Sequence, residues 1–271
     1  QVVPVGRQNP AVQTAASTDL DSASTSGTAG GVNQWTQLKP GFLAINSIAP
    51  HPTAAGTLFA GTAQGVWRYA GGAWTQLGLP SYNTVLHLVV DYLTPTTMYA
   101  QTDLWGILKT TDGGTTWTKL ANVPSSTVTP LVMHPQVPTT LFLSADWAVH
   151  RSTDGGLTWV QLTPAGQRPV SNVLAISASS PNTFYSVCGS GARCVNKSTD
   201  GGATWSAGVT VAPAGLIGRI VVDPANPSVV YAGGGKHMWD PNSNVYRSGD
   251  GGATWTKVAE NLGFYGVSSI L

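Results

Sequence analysis

Acidic residues that lie close to tryptophans are the side chains of this 271-residue sequence with the clearest chemical potential. The candidate catalytic carboxylates are Asp103 and Asp146. The candidate ligand-binding residues are Trp105, Trp147, His237, Trp239 and Asp240. A tryptophan face stacks on a sugar ring while carboxylates bond its hydroxyls or transfer a proton, so this set predicts a carbohydrate site. The alternative is that the tryptophans pack between sheets and the aspartates end strands.

Other kinds of chemistry have little support in the sequence. The five histidines and two cysteines lack the spacing of a metal site, and no phosphate-binding loop occurs, so neither a metal nor a cofactor is predicted. Charged residues make up only 9% of the chain and the formal net charge is +1, which argues against nucleic-acid binding. No apolar run approaches the roughly 20 residues of a membrane span.

The two cysteines, Cys188 and Cys194, flank a glycine-rich stretch of five residues. Such a loop can close a hairpin and bring the two sulfurs within disulfide distance. A disulfide would favour an oxidising compartment. Two free thiols in a cytosolic protein are the alternative.

Four near-identical segments repeat along the chain. They are Lys109–Trp117, Arg151–Trp159, Lys197–Trp205 and Arg247–Trp255, and a shorter copy without the aspartate spans Arg68–Trp74. Asp-Gly-Gly between extended runs predicts a hairpin turn whose glycines accept positive φ and whose carboxylate binds turn amides. The tryptophan then wedges between neighbouring sheets. The residues predicted to be structural are therefore Asp112, Trp117, Asp154, Trp159, Asp200, Trp205, Asp250 and Trp255.

Each segment lies in a longer unit of four short, β-rich strands, with Pro and Gly at the turns. A single sheet of this kind cannot bury both faces, whereas radial stacking of several sheets can. The sequence therefore predicts an all-β propeller with five complete blades. The predicted blades span residues 42–77, 84–120, 127–162, 170–208 and 216–258.

The repeated segments resemble the Asp boxes of the bacterial neuraminidase repeat (BNR) β-propellers, over about residues 34–271. That superfamily includes sialidases, glycoside hydrolase family 74 xyloglucanases, sortilin-type receptors and a photosystem II assembly propeller. The resemblance implies the fold but not an activity, because the superfamily contains both enzymes and non-enzymes.

One local match bears on activity. Met98–Gly106 resembles a Tyr-Ala-Arg-Thr-Asp-x-Gly-Gly stretch of family 74 enzymes, and this implies an acid or base role for Asp103. Gln101 and Trp105 depart from that stretch, which has Arg and Gly there. An inverting hydrolase needs a second carboxylate about 6.5–9.5 Å away, and Asp146 is the nearest one by topology. The arginines do not form the triad with which sialidases bind a carboxylate.

The two ends of the chain carry incomplete repeats. Gln34–Leu38 resembles a fourth strand, and Gly263–Leu271 matches the first-strand segment Gly41–Ala49. Residues 1–33 are predicted to form a low-complexity tail that is rich in Ala, Ser, Thr and Gly from about residue 15 to 31, with strand candidates at 1–6 and 11–15, and residues 34–271 are predicted to form the propeller. These ends predict a composite sixth blade, and its assembly candidates are Val2, Val3, Val5, Val267 and Ile270.

Three hypotheses follow for the tail. It fills the sixth blade of its own ring, it fills that of a neighbouring copy by strand exchange, or the chain is a piece of a longer propeller protein. On this basis we expect a secreted, non-catalytic propeller that binds itself, another extracellular protein or a glycan, with strand-exchange polymerisation as one form of assembly. The alternative is a glycan-binding or glycoside hydrolase propeller of the xyloglucanase kind.

Overall fold

The computed structural model describes residues 45–79, 83–124, 131–145, 148–163, 174–188, 193–211, 216–234 and 244–260. These residues form twenty β-strands and no helix. The strands make five antiparallel sheets of four, each built in simple chain order, so the prediction of five complete blades is confirmed. None of the described residues forms a helix that could cross a membrane. The predicted sixth blade lies outside the described residues.

The strands are numbered in chain order, four to a blade. Blade 1 contains β1 (Ile45–Pro50), β2 (Leu58–Thr62), β3 (Gly65–Ala70) and β4 (Ala73–Gln76). Blade 2 contains β5 (Val85–Val90), β6 (Met98–Thr102), β7 (Gly106–Thr110) and β8 (Thr118–Lys119). Blade 3 contains β9 (Val132–Met133), β10 (Leu141–Ala145), β11 (Ala148–Ser152) and β12 (Val160–Gln161).

The last two blades follow the same plan. Blade 4 contains β13 (Leu174–Ile176), β14 (Phe184–Val187), β15 (Cys194–Ser198) and β16 (Val209–Thr210). Blade 5 contains β17 (Ile217–Val222), β18 (Val230–Gly234), β19 (Val245–Ser248) and β20 (Thr256–Ala259). The second strand of each blade is buried along most of its length, and in blades 2, 3 and 4 a neighbouring blade covers each face of the sheet.

Each blade has two faces, which we name by the neighbour they contact. The downstream face of blade 1 presents Phe59 and Val66, and these pack against Val85, Leu88 and Met98 on the upstream face of blade 2. Side chains alternate between the two faces along a strand, so every blade is apolar on both sides. The same downstream-to-upstream packing joins blade 2 to 3, 3 to 4 and 4 to 5.

The first strands of blades 1, 2 and 5 share one irregularity. The register with the second strand shifts between Ile45 and Ser47, between Val85 and His87, and between Ile217 and Arg219. A shift of this type is a β-bulge, which adds a residue to one strand and bends it. The bulge recurs at the same place in these three blades. First-strand residues that pair with equivalent residues of the second strand are therefore equivalent between blades.

Candidate functional site

The aspartates of the repeated segments are held inside their own turns. In blade 3, Asp154 Oδ1 accepts hydrogen bonds from Ser152 Oγ (2.7 Å) and from the amides of Leu157 and Thr158 (both 2.9 Å). Its Oδ2 accepts one from Thr158 Oγ1 (2.5 Å). These donors stabilise the charged carboxylate, so they lower the pKa of Asp154 below its ordinary value, with the Thr158 side chain contributing most.

The other three boxes repeat this arrangement. The pKa of Asp112 falls to about 2, chiefly through the Thr116 side chain, and that of Asp200 falls to about 2, chiefly through the Thr204 side chain. The pKa of Asp250 is lowered in the same way. A carboxylate that is ionised this firmly and already accepts several hydrogen bonds is poorly suited to proton transfer near neutral pH.

The boxes also join neighbouring blades. Lys109 Nζ and the Tyr99 hydroxyl, both in blade 2, donate to the carbonyl of Gly155 in the blade 3 box at 3.1 and 3.3 Å. In the same manner the Tyr185 hydroxyl of blade 4 donates to the carbonyl of Gly251 in blade 5 at 3.1 Å. Burial, assisted by the charge of nearby aspartates, raises the pKa of Tyr99 to about 12, so this donor keeps its proton.

The predicted site residue Asp103 lies in the turn between β6 and β7 and is exposed. Its Oδ1 accepts a hydrogen bond from the amide of Thr84, and its own amide donates to the Thr84 carbonyl, both at 3.1 Å. This reciprocal pair attaches the turn to the entrance of β5, from a position 19 residues away in sequence. Asp103 therefore has a clear role in holding the fold.

Trp105 is half-buried and packs against the apolar cluster between blades 1 and 2, while its amide donates to Thr102 Oγ1 at 3.1 Å. The remaining candidates of the predicted carbohydrate site lie outside the described residues. They are Asp146, Trp147, His237, Trp239 and Asp240. Asp146, the predicted partner of Asp103, is therefore not placed, and the described part of the chain shows no grouping of residues suited to a metal ion.

The other described carboxylates also have partners in the fold. Asp91 accepts hydrogen bonds from the amides of Leu93 and Thr94 at 2.8 and 3.0 Å. Asp223 likewise accepts hydrogen bonds from the amides of Ala225 and Asn226 at 2.8 and 3.1 Å. Glu260 forms an ion pair with Lys257. Together with Asp103 and the four box aspartates, every carboxylate among the described residues is engaged by a turn or an ion pair.

The predicted disulfide is confirmed. Cys188 and Cys194 are bonded, with their Cα atoms 5.4 Å apart, at the point where β14 turns into β15. The Cys188 amide also donates to the Cys194 carbonyl at 2.9 Å, so the bond closes a hairpin. The disulfide packs beside Gly208, where an added Cβ would lie 2.4 Å from Cys188 Sγ.

Sequence reasoning missed one surface, the upstream face of blade 1. Ile48 is 60% exposed, whereas its counterparts Leu88 and Ile220 are 6% and 7% exposed. Ile45 is 40% exposed, whereas Val85 and Ile217, which take its place in blades 2 and 5, are 0% and 1% exposed. We call the surface formed by Ile45, Ile48 and Leu58 the open face.

Two further observations show that nothing described covers the open face. Leu58 is only half-buried, although the residues that match it in the other four blades are completely buried. A Cβ at Gly114, in the blade 2 box, would contact Leu77 of blade 1 at 2.6 Å, but no atom lies within 4 Å of a Cβ at the matching Gly72 of blade 1. The open face is as apolar as its buried counterparts, so its sequence gave no signal of exposure.

A cavity of about 450 Å³ lies between the turns of blades 1 and 2 and is lined by residues that include His51, Phe59, Arg68 and Gly113. The Nδ1 atom of His51 accepts hydrogen bonds from the amides of Thr53 and Ala54, at 3.3 and 3.0 Å. Asp103 and Trp105, the predicted site residues that the structure describes, do not line this cavity.

Comparison with known proteins gives structural neighbours only. No protein-family profile matches the chain, and no curated protein sequence matches it. An ancestral GH74 enzyme has a TM-score of 0.63 at 16% identity, over 83% of this chain and 34% of the enzyme. The GH74 xyloglucanase from Xanthomonas campestris has a TM-score of 0.50 at 18% identity, over 79% of this chain and 45% of the enzyme.

A third neighbour is similar in size. YCF48 from Cyanidioschyzon merolae has a TM-score of 0.56 at 13% identity, over 82% of this chain and 87% of that protein. The chain spans less than half of either GH74 enzyme. At these identities the likeness shows the fold, a β-propeller of the kind that the repeated boxes predict, and nothing about activity.

Proposed function

We propose that this protein is an extracellular, non-catalytic β-propeller that acts through binding and assembly. The observation that carries the proposal is the open face. Monomeric proteins seldom leave on their surface a set of residues that their own repeats bury everywhere else, and an exposed apolar surface of this kind marks an interaction site. Ile45, Ile48 and Leu58 supply such a surface on the first blade.

The carboxylates support the non-catalytic part of the proposal. Glycoside hydrolysis needs two carboxyl groups on opposite sides of the scissile bond, one of them with a raised pKa. The box aspartates have lowered pKa values, and Asp103 is bonded to the backbone of Thr84. Each of the described carboxylates already accepts a hydrogen bond from a turn or forms an ion pair.

The disulfide supports the extracellular part. Disulfides persist mainly in oxidising compartments, and Cys188–Cys194 joins the end of β14 to the start of β15, with no grouping of metal ligands among the described residues. The low content of charged residues and the formal net charge of only +1 agree with a partner that is a protein or a glycan.

The proposal is tested by the solution mass of the full chain and of two variants, measured over a range of concentrations. Ile48→Glu places a charge on the open face and is expected to abolish self-association. Leu93→Glu is the matched control, because Leu93 is also apolar and exposed but lies in the turn after β5. Equal association of all three proteins would show that the open face is not the assembly surface.

A second candidate function is glycan binding or hydrolysis centred on Asp103 and Trp105. It is favoured by the match of Met98–Gly106 to a family 74 stretch and by the fold likeness to GH74 enzymes. Asp103→Asn keeps an oxygen that can accept the hydrogen bond from Thr84 but removes the acid. Xyloglucan hydrolysis that is present in the natural protein and lost in this variant would establish the enzyme and refute the non-catalytic proposal.

A further inference from the structure

Blade 5, at the other end of the row of blades, also has a face that is less covered than its counterparts. The aromatic residue of the second strand is buried by the following blade in blades 1 to 4, as Phe59, Tyr99, Phe142 and Tyr185. Its counterpart in blade 5, Tyr231, is only half-buried. The row of five blades therefore has an under-covered sheet at each end, which is the pattern of a ring that lacks one blade.

The tail carries the sequence of the two middle strands of a blade. Residues 2–6 read Val-Val-Pro-Val-Gly, and Val229–Gly233, which includes most of β18, reads Val-Val-Tyr-Ala-Gly. Residues 11–14 read Ala-Val-Gln-Thr, and the first four residues of β11 read Ala-Val-His-Arg. In this alignment Val12 matches Val149, which is completely buried on the downstream face of blade 3.

The remaining two strands of a blade are also present in the sequence. Residues 34–38 match a fourth strand, and residues 263–271 match the segment that contains β1. In this second match Val267 and Ile270 fall on the positions of Ile45 and Ile48, which in blades 2 and 5 are buried by the preceding blade.

The connection between the third and fourth strands distinguishes the tail from every described blade. In blade 3 this connection is the box itself, residues 153–159, and Asp154 pins it. In the sequence, residues 16–33 separate the tail segment from residues 34–38, and Asp19 is followed by Leu20 instead of two glycines. A Gly/Ser-rich linker of this length would have a root-mean-square reach of about 21–25 Å, far more than a hairpin turn requires.

We propose that residues 2–14 of a second copy of this chain supply the middle strands of a sixth blade and cover the open face. This proposal rests on the proposed function and names its partner. A linker of this length is long enough to let the middle strands reach a neighbour, whose open face receives them. Repetition of the exchange along one direction produces an open-ended polymer, since the donor and the acceptor are different surfaces.

The internal repeat fixes the register of the exchange. A Cβ at Gly61 in β2 would lie 3.3 Å from the Cβ of Val85 on the next blade. By the same alignment Gly6 takes the place of Gly61, and Ile45 takes the place of Val85. A cysteine at position 6 of the donor and one at position 45 of the acceptor would therefore stand close to the separation that a disulfide needs.

The experiment co-expresses two full-length single variants, Gly6→Cys and Ile45→Cys, with a size tag on one of them. A disulfide-linked heterodimer on a non-reducing gel is the expected result, because each chain lacks the cysteine it would need to close on itself. Gly6→Cys with Leu93→Cys is the control pair and is expected to stay unlinked. The added charge of Val12→Glu is expected to abolish assembly just as Ile48→Glu does.

Two results would overturn the inference. A double variant, Gly6→Cys with Ile45→Cys in one chain, that links only within itself would show that the tail closes its own ring. The absence of any link, in chains that still assemble and still lose assembly through Ile48→Glu, would show that the open face has a different occupant. In this second case assembly through the open face is retained, but residues 2–14 are not the donor. Failure of the donor assignment is therefore distinguishable from failure of the proposed function.

Discussion

The most informative perturbation compares the same truncation at two matched positions, Ile48→Ala and Leu88→Ala. Both residues occupy the same place in the first strand of their blades, but Ile48 is largely exposed and Leu88 is buried against blade 1. Removing Leu88 leaves a cavity and is expected to cost about 2–4 kcal/mol. In a monomer whose open face is uncovered, Ile48→Ala removes little buried apolar area. It is expected to lower the free energy of unfolding by less than about 1 kcal/mol.

Assembly is expected to change this comparison. Once a neighbour's strands cover the open face, Ile48 becomes as buried as Leu88, and its truncation is expected to cost about 2 kcal/mol or more. Urea unfolding followed by tryptophan fluorescence measures both costs, first at a concentration where the protein is monomeric and then where it assembles. The difference in unfolding free energy between Ile48→Ala and Leu88→Ala is expected to be large in the monomer and small in the assembly.

Equal destabilisation of the dilute monomer by the two truncations would refute the exposure of the open face. If Ile48→Ala destabilises the dilute monomer as much as Leu88→Ala does, the open face is already covered within a single chain. The tail would then close its own ring, and neither exchange nor an acceptor surface would be needed.

Three further predictions concern the described blades. Tyr99→Phe removes a buried hydroxyl that bonds the box of the next blade, and thermal unfolding is expected to show a loss of about 1 kcal/mol; no loss would show that this bond does not join the blades. Replacing Cys188 and Cys194 by serine is expected to cost about 2 kcal/mol, because the disulfide closes a short loop, and urea unfolding of the oxidised and replaced proteins measures it. The box carboxylates Asp112 and Asp200 have folded-state pKa values of about 2, below those of the unfolded chain, so the stability they contribute is complete above roughly pH 4 and is lost as the pH falls towards 2. Acid unfolding of Asp112→Asn is expected to depend less on pH over that window than unfolding of the natural protein, and an unchanged profile would contradict the assignment.

The candidate site shows how far the sequence reaches toward function. The pairing of Asp103 and Trp105 predicted a place for a sugar, since both residue types occur in such sites. The structure adds a backbone partner for Asp103 at Thr84 and a contact of Trp105 with the cluster between blades 1 and 2, and the sugar site stays a prediction. Neither contact can be read from local sequence, because each joins residues of different strands or blades.

What the sequence determined by itself is the blade. The Asp-Gly-Gly turns, the alternation of apolar and polar residues and the spacing of about 40 residues predict five four-stranded sheets, and the disulfide follows from two cysteines around a short loop. These features depend on local forces. The turn glycines adopt positive φ, as at Gly155 and Gly156, and Asp154 bonds amides within four residues of itself.

What only the tertiary structure decided is which apolar face is covered. Ile48, Leu88 and Ile220 are equivalent in the repeat and nearly identical in chemistry, so no local pattern separates them. Their difference in exposure arises because blades 2 and 5 each have a preceding blade to pack against, whereas among the described residues blade 1 has none. The burial of a residue depends on the adjacent blade as well as on the residue itself. The sequence of one strand does not specify whether a blade packs against it.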